Sequence, residues 1–251
     1  MVTDQQRPAQ LLDDAHLAGS AVVANCAMNR QRQLTGVNSY TREMGFDPVD
    51  VLTAMLGDPP QVGATVAWLD LCCGTGRALI QAADRLTRTG LAGQVDLVGL
   101  DLVDAFDPAP ALPGLELVCA PLPAWTPTRS FDLITCVHGL HYVGDKLTTL
   151  TRAANWLTPT GRFVADLDLA SIRLPDGQPA GRRLLTRLRA AGFAYNPRRH
   201  RISRTGPLRT KLPYTYLGAD DHAGPNYTGQ PAVNSHYRED QHQAVGPARP
   251  G

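Results

Sequence analysis

Short apolar runs that alternate with amphipathic segments constrain the fold of this 251-residue chain more than any other feature. Each run suits a strand buried on both faces, whereas 77–90 and 145–157 have helical spacing. Strands joined by crossovers of about a dozen residues or more pair in parallel. We therefore predict an α/β fold with a doubly wound, mostly parallel sheet. Its strand runs are VAWLDLC (66–72), VDLVGLDL (95–102), LELVCA (115–120), FDLITCV (131–137) and GRFVADLDL (161–169).

Composition excludes several classes of protein. Hydrophobic residues make up 43% and charged residues 19%, which excludes a wholly disordered chain and a coiled coil. The 24 basic and 23 acidic residues nearly cancel, so bulk charge does not indicate nucleic acid or a membrane as partner. The five cysteines lack the spacing of a zinc site or a disulfide framework. We predict a cytoplasmic protein without a metal site or a membrane span.

The turn after the first strand, Asp70–Gly76 (DLCCGTG), is the sharpest motif. Glycines there let a ligand approach the backbone, and the following helix presents free N–H groups. The third glycine of a dinucleotide site is missing, which argues against a nicotinamide oxidoreductase. The Asp70 carboxylate would repel a phosphate but suits a ligand with an ammonium group, such as S-adenosylmethionine. A tight turn that needs only glycine geometry is the alternative.

Four stretches in order resemble the core of class I S-adenosylmethionine-dependent methyltransferases over about residues 65–170. They are WLDLCCGTG, VDLVGLDL, FDLITCVHGLHYV and LTPTGRFVADLD. The resemblance implies a Rossmann-like methyltransferase fold with S-adenosylmethionine as cofactor. It divides the chain into a helical N-terminal lid (1–60), a methyltransferase domain (61–237) and a flexible tail (238–251). Within the domain, 65–170 would form the cofactor half and 171–237 the substrate side.

The resemblance also implies roles for individual residues. Asp70 would hold the methionine amino group, and Asp101 would accept both ribose hydroxyls, although a strand-end cap is the alternative for Asp101. The whole implied cofactor-binding set is Tyr40, Asp70, Cys72, Gly74, Gly76, Asp101, Leu102, Leu122, Cys136 and Val137. In this set Leu102 and Leu122 would flank the adenine, and Tyr40 would reach the methionine carboxylate or the substrate.

The chain departs from the family pattern at two places. Cys72 replaces the usual first glycine of the turn, and the stretch VCAPLP after the third strand has no clear acid to face the adenine amino group. The motif Asn/Asp-Pro-Pro-aromatic is also absent, since the matching stretch is Thr135–His138. This absence argues against methylation of exocyclic base amines or of glutamine.

Two histidines follow the fourth strand, where the methyl group should point. His138 or His141 could take a proton from an acceptor, because imidazole titrates in the useful range. The alternative, stronger for His141, is packing against the following helix. At the end of the fifth strand Asp166 and Asp168 alternate, so only one of them can face the cleft.

The C-terminal third carries two further features. Residues 181–212 hold ten of the 24 basic residues, which form either a solvated surface or a contact for an acidic acceptor. The Tyr- and His-rich stretch 214–237 forms either a pocket wall or the last strands of the sheet. We favour methylation of a small molecule, such as a specialised metabolite. Methylation of RNA or of a peptide or protein side chain, and a non-catalytic cofactor-binding homologue, are the alternatives. The oligomeric state stays open.

Overall fold

A computed structural model describes residues 10–24, 31–61 and 63–240, and a seven-stranded sheet lies at its centre. The strands run in the order β3-β2-β1-β4-β5-β8-β7. The first five are parallel, and β8 is antiparallel to β5. This architecture confirms the predicted doubly wound, mostly parallel sheet. The strand bounds are β1 Val66–Leu71, β2 Val95–Asp101, β3 Leu115–Cys119, β4 Phe131–Cys136, β5 Leu157–Asp166, β6 Ile172–Arg173, β7 Ala194–Asn196, β8 Arg201–Thr205, β9 Tyr214–Asp220 and β10 Asn234–Glu239.

Local sequence signals set the helix ends. At the start of the helix Pro48–Leu56, Asp47 accepts the N–H of Val49 at 2.9 Å, and proline occupies the first turn. Gly45 ends the helix Tyr40–Met44 in the left-handed conformation. The described helices are α1 Asp14–Ala18, α2 Ala21–Ala24, α3 Tyr40–Met44, α4 Pro48–Leu56, α5 Arg77–Arg88, α6 Lys146–Asn155 and α7 Gly181–Ala190. Two 3-10 helices cover Gly139–Tyr142 and Leu169–Ser171.

Alternate residues of β1 explain why helices cover both faces of the sheet. Ala67, Leu69 and Leu71 pack in one core cluster with α6 and α7. Val66 and Trp68 pack in the other with α3, α4 and α5. Successive strand side chains point to opposite faces, so a strand that is apolar throughout needs a helical layer on each side. All six residues of β1 are buried.

The C-terminal third is more ordered than its sequence indicates. The region after residue 193 is polar and has no continuous apolar run, yet it contributes β7 and β8 to the main sheet. Strands β6, β10 and β9 form a second, three-stranded sheet. The expectation that 214–237 supplies the last strands of the main sheet is therefore wrong, because β8 and β7 already occupy that edge. Strand β10 also crosses the predicted boundary at 237/238, and the predicted tail from 241 lies outside the described residues.

The predicted lid segment packs in two places: α1 and α2 on the second sheet, and α3 and α4 on the main sheet. Leu12 and Ala219 exchange two backbone hydrogen bonds of 2.8 Å, which fasten the N-terminal segment to β9. Leu17 and Val23 then pack on the second sheet. The apolar positions over 9–28 have roughly helical spacing, and the structure has two short helices there, α1 and α2, with Gly19 between them. Residues 25–28 lie outside the described residues.

Lys146, the first residue of α6, ties the second sheet to the main domain. Its ammonium group is fully buried and donates to the Val143 carbonyl at 2.9 Å, the Val233 carbonyl at 2.8 Å and Ser235 Oγ at 2.7 Å. Burial lowers the pKa of Lys146 to about 7. Three acceptors around one cation hold the start of β10 beside the segment that follows β4.

Among the helices of the described ranges, none combines the length and the apolar character needed to cross a bilayer.

Candidate active site

The strand order creates a crevice at one edge of the sheet. The chain passes from β1 outward to β2 and β3, then returns to β4 on the other side of β1. Ligands of open α/β sheets bind at the carboxyl ends of the strands at such a reversal. A cavity of about 490 Å³ lies there. Its walls are Cys72 after β1, Leu100–Leu102 at β2, Ala120–Ala124 after β3 and Tyr142–Gly144, with parts of α1 and Val23 as further lining.

The cavity brings together four of the predicted cofactor-binding residues. Cys72, Asp101, Leu102 and Leu122 all line it. They come from the ends of three neighbouring strands, so their meeting follows from the parallel sheet.

Three residues of the turn after β1 have the left-handed backbone conformation. Cys72, Gly74 and Gly76 have φ values of 58°, 62° and 71°. A Cβ atom at Gly76 would lie 2.9 Å from Leu117 Cδ1, which is too close for a side chain there. Cys72, in place of the family's glycine, therefore adopts a conformation that glycine adopts at lower cost.

Asp101 joins this turn to the end of β2. Its Oδ2 accepts the N–H of Gly74 at 2.8 Å, and Oδ1 accepts the N–H of Val103 at 3.1 Å. These are the bonds of a strand-end cap. A carboxylate has further lone pairs on both oxygens, so the same group can also accept from ligand hydroxyls in the cavity that it lines.

Asp70 and Tyr40 bind each other. The Tyr40 hydroxyl donates to Asp70 Oδ2 at 2.6 Å, and the Thr135 hydroxyl donates to Oδ1 at 2.6 Å. Trp68 Nε1 in turn donates to Thr135 Oγ1 at 2.8 Å. Burial raises the pKa of Asp70 to about 7, although both hydroxyl donors favour the ionised form. Neither Asp70 nor Tyr40 lines the 490 Å³ cavity.

Cys136 and Val137 are buried at the end of β4. Cys136 lies beside Cys72, and a Cβ atom at Gly139 would lie 2.8 Å from Cys136 Sγ and 2.9 Å from Cys72 Sγ. The hydrogen bond with Cys136, together with burial, raises the pKa of the Cys72 thiol. Cys136 thus lies next to Cys72, which lines the cavity, whereas neither Cys136 nor Val137 lines it.

The two predicted histidines meet in a second cluster. His138 Nδ1 lies 3.4 Å from His141 Nε2, and His138 Nε2 lies 3.4 Å from Glu43 Oε2. Asp166 Oδ2 accepts the backbone N–H of His138 at 3.2 Å and lies 3.9 Å from its Nε2. His138 has a φ of 58°, a left-handed conformation that turns the chain sharply at the end of β4.

Burial and neighbouring groups shift the pKa values of two residues in this cluster. The hydrogen bond from His138 is the main cause that lowers the pKa of Glu43 to about 2, and Arg32, 2.9 Å away, adds to it. Burial lowers the pKa of His141 to about 3, and His138, Lys146 and His200 add to the effect. The environment of His141 thus disfavours a proton on its ring, whereas the ring of His138 lies near the carboxylates of Glu43 and Asp166.

The two acids at the end of β5 point to different places, as predicted. Asp166 faces the histidines and also lies 3.6 Å from Arg201 Nη2. Asp168 instead accepts the N–H of Ala170 at 2.9 Å and begins a 3-10 helix.

Sequence reasoning misses Glu43 and Asp14. Glu43 lies three residues after Tyr40 in α3, a spacing that places both side chains on one helix face and could have indicated it. Asp14 lines the cavity, and its Oδ1 accepts the Tyr216 hydroxyl at 3.2 Å. No signal in the sequence indicates that α1 reaches the cavity, because its contacts there, such as those of Leu17 with Leu102 and Tyr142, are with residues far away in the chain.

A glycine turn between strand and helix, a carboxylate at the end of β2 and a crevice at the reversal of strand order define a Rossmann-like nucleotide-binding domain. A protein family described as a methyltransferase domain matches residues 39–205 of the chain. The chain belongs to this methyltransferase family, which confirms its resemblance to the class I S-adenosylmethionine-dependent enzymes. S-adenosylmethionine is the cofactor of this class.

Individual relatives match at lower similarity. Demethylmenaquinone methyltransferase of Bacillus licheniformis is 35% identical over 105 residues, which are 41% of this chain and 44% of that protein. The chain thus matches less than half the length of this curated relative. The N-methyltransferase NodS of Bradyrhizobium japonicum WM9, solved with S-adenosylhomocysteine, is 12% identical over 90% of this chain and 96% of its own, with a TM-score of 0.42. The plantazolicin methyltransferase BpumL, solved in complex with SAH, is 17% identical over 62% of this chain and 58% of its own, with a TM-score of 0.41.

The buried Asp70 carboxyl should make stability depend on pH. The unfolded carboxyl loses its proton near its ordinary pKa of 3.8, whereas the folded one keeps it until about pH 7. The folded state therefore binds more protons between these values, and the contribution of Asp70 to stability falls as pH rises from 4 to 7. Between pH 4 and 7 we expect the free energy of unfolding to decrease by about 2–4 kcal/mol less in Asp70→Asn than in the unchanged protein. Urea unfolding at pH 4, 5.5 and 7 measures it.

Asp84→Asn is the matched control, because Asp84 is exposed on α5 and pairs with Arg88 one turn later. Its pH dependence should follow that of the unchanged protein. Equal pH slopes for the Asp70 and Asp84 variants would contradict the effect of burial at Asp70.

Proposed function

We propose that this methyltransferase methylates a small molecule that carries an exchangeable proton at the acceptor atom. The observation that carries the proposal is the burial of the two histidines, since His138 is only 7% and His141 only 1% exposed. A small molecule can insert one group beside buried side chains, whereas RNA or a folded protein would need an open groove there. The 490 Å³ cavity at the strand ends, lined in part by the N-terminal segment that Leu12 and Ala219 fasten to β9, suits the cofactor.

The residues around the cavity suit the adenosine part of the cofactor. Asp101 would accept the ribose hydroxyls, and Leu102 and Leu122 would flank the adenine. Gly74 and Gly76 would allow close approach of the backbone. These roles agree with those that the family resemblance implies.

Asp70 and Tyr40 fit a supporting role better than the predicted direct one. Their mutual hydrogen bond of 2.6 Å joins α3 to β1, directly before the turn. Contact with the amino or carboxylate group of the cofactor would require access to side chains that are 0% and 3% exposed and do not line the cavity. We infer that the pair fixes the turn and the position of α3, and with it Glu43.

The cofactor supplies an electrophilic methyl group, and the protein supplies position and a proton acceptor. His138 would take the proton of the acceptor atom, because its ring lies 3.4 Å from Glu43 and 3.9 Å from Asp166, and His141 lies 3.4 Å from its other nitrogen. Arg32 holds Glu43 at 2.9 Å, and Arg201 lies 3.6 Å from Asp166. Both carboxylates are thus kept in place while the charge of the imidazole changes.

The basic stretch 181–212 offers less free charge than its composition indicates. Arg187 lies 3.3 Å from Glu239, and Arg201 donates to the Met44 carbonyl at 2.7 Å. Arg204 donates to the carbonyls of Gly206 and Pro207 at 2.8 and 2.7 Å. These three arginines stabilise the fold, and an acidic acceptor for the rest of the stretch stays a prediction.

Loss of the Asp101 carboxylate should weaken cofactor binding. A charged hydrogen-bond acceptor contributes about 1.5–3 kcal/mol, so Asp101→Ala should raise the Kd for S-adenosylhomocysteine about 10- to 100-fold. Calorimetric titration measures it. Asp96→Ala, at the opposite end of β2, is the control and should bind as the unchanged protein does. Equal affinities for both variants would refute the ribose contact.

An acceptor screen tests the function directly. Release of S-adenosylhomocysteine should appear with members of a library of hydroxylated and amino-bearing metabolites. Total RNA and unstructured peptides, assayed in parallel, should give none. Turnover on RNA or peptides alone would overturn the small-molecule proposal, and cofactor binding with no turnover anywhere would favour a non-catalytic homologue.

On an acceptor found this way, His138→Ala should lower kcat about 10²- to 10⁴-fold at unchanged cofactor affinity. Glu43→Gln should lower kcat less and move the acid limb of the pH profile to lower pH, because the lost carboxylate no longer favours protonated imidazole. Unchanged kcat across pH for His138→Ala would place the proton acceptor elsewhere.

A further inference from the structure

The loop between β9 and β10 carries an aromatic ring onto the histidine cluster. The Tyr227 ring stacks on His200 with 3.8 Å between centroids and 8° between planes. It also meets His141 edge-on, with centroids 5.3 Å apart and planes at 76°. We call the space between the face of His200 and the edge of His141 the ring slot. In this structure the ring of Tyr227 fills it.

Tyr227 sits on a compact flap, Gly224–Ala232. The Asn226 N–H donates to the Gln230 carbonyl at 2.9 Å, and the Ala232 N–H donates to the Gly224 carbonyl at 3.2 Å. Pro225 and Pro231 pair across the flap. The flap is thus held by bonds within itself, and Tyr227, 40% exposed, extends from it onto the histidines.

An acceptor needs a way to the histidine pair, because His138 is 7% and His141 1% exposed. Two partly exposed side chains lie against the pair: Glu43 against His138 and Tyr227 against His141. Glu43 is held by Arg32 through a charged hydrogen bond of 2.9 Å, whereas the Tyr227 ring is held by ring contacts. Ring contacts open more readily than charge-assisted hydrogen bonds. The approach therefore passes through the ring slot.

His200 has two properties of a ligand-binding residue. Its φ of 47° is unusual for a residue with a side chain, and such strain is concentrated at functional sites. Its Nδ1 is buried and has no hydrogen-bond partner within the part of the chain that the structure describes. A buried polar atom beside a stacking surface suits a ring that carries a polar substituent.

We propose that the ring slot is the acceptor subsite and that it takes a planar aromatic or heteroaromatic ring bearing a hydroxyl or amino group. The acceptor ring displaces Tyr227, stacks on the face of His200 and brings its substituent to the edge of His141. This inference rests on the proposed function, since it is the methylated molecule that enters the slot. Tyr227 occupies the subsite as long as no acceptor is bound.

The test uses the full chain saturated with S-adenosylhomocysteine and titrated with 2-naphthol. Decahydro-2-naphthol is the matched probe, because it has a similar size and the same hydroxyl but no aromatic face. The unchanged protein should bind 2-naphthol and discriminate against the saturated alcohol. Equal affinity for the two probes would overturn the proposal, since general apolar binding would then explain both.

Variants of the flap test displacement. Tyr227→Ala should bind 2-naphthol about three- to tenfold more tightly, because no side-chain ring competes for the slot. Tyr227→Phe keeps a stacking ring and should bind as the unchanged protein does. Weaker binding by Tyr227→Ala would show that Tyr227 is a wall of the site, and it would overturn the proposal. Tyr227→Leu, which keeps the apolar bulk, should bind 2-naphthol as tightly as Tyr227→Ala.

His200→Ala tests the stacking face. Its affinity for 2-naphthol should fall about three- to tenfold, whereas His222→Ala, exposed on the same β9–β10 connection, should not change it. Unchanged affinity of the His200 variant would contradict the slot. S-adenosylhomocysteine binding is measured on every sample. Its loss in the unchanged protein would contradict the proposed function, whereas its retention without naphthol binding would contradict the ring slot alone.

Discussion

The buried carboxylate of Asp70 is the interaction on which the rest of the site depends. Asp70 and Thr135 are direct partners across β1 and β4, and Thr135 donates to one carboxylate oxygen at 2.6 Å. Tyr40 donates to the other at 2.6 Å and so draws α3 onto the same point. An acid without solvent contact is stable only when its oxygens accept such bonds. The strand pair that opens the crevice and the helix that carries Glu43 are therefore held by one group.

This arrangement separates the site into two compartments. The 490 Å³ cavity lies over the ends of β1, β2 and β3, and its charged lining is Asp101 and Asp14. The histidine cluster lies behind the end of β4, between Glu43, Asp166 and the Tyr227 flap. Cys72, Cys136 and Gly139 are packed between the two, with no room for a side chain at Gly139. Methyl transfer needs direct contact between the methyl group and the acceptor atom, so under the proposed function the two compartments would have to open to each other at this boundary when both molecules are bound.

Much of the cofactor half could be predicted because its signals are local. Continuous apolar runs mark its strands as buried on both faces. In the N-terminal segment, caps such as Asp47 and Gly45 mark helix ends in the same local way. The second sheet could not be predicted in this way. Its strands β9 and β10 are polar on one side and gain their partners across long stretches of chain, and β6 has only two residues. Buried Lys146 shows the same limit, since two of its three acceptors are nearly 90 residues away in sequence.

The amino-acid sequence by itself determined the class of fold, the turn after β1 and the acid at the end of β2, because each depends on neighbours within a few residues. Only the tertiary structure decided what those groups bind. It paired Asp70 with Tyr40, brought Glu43 and Asp166 to His138, and set Tyr227 against His200. These contacts join segments far apart in the chain, and their energies come from burial and hydrogen bonding that no local pattern encodes.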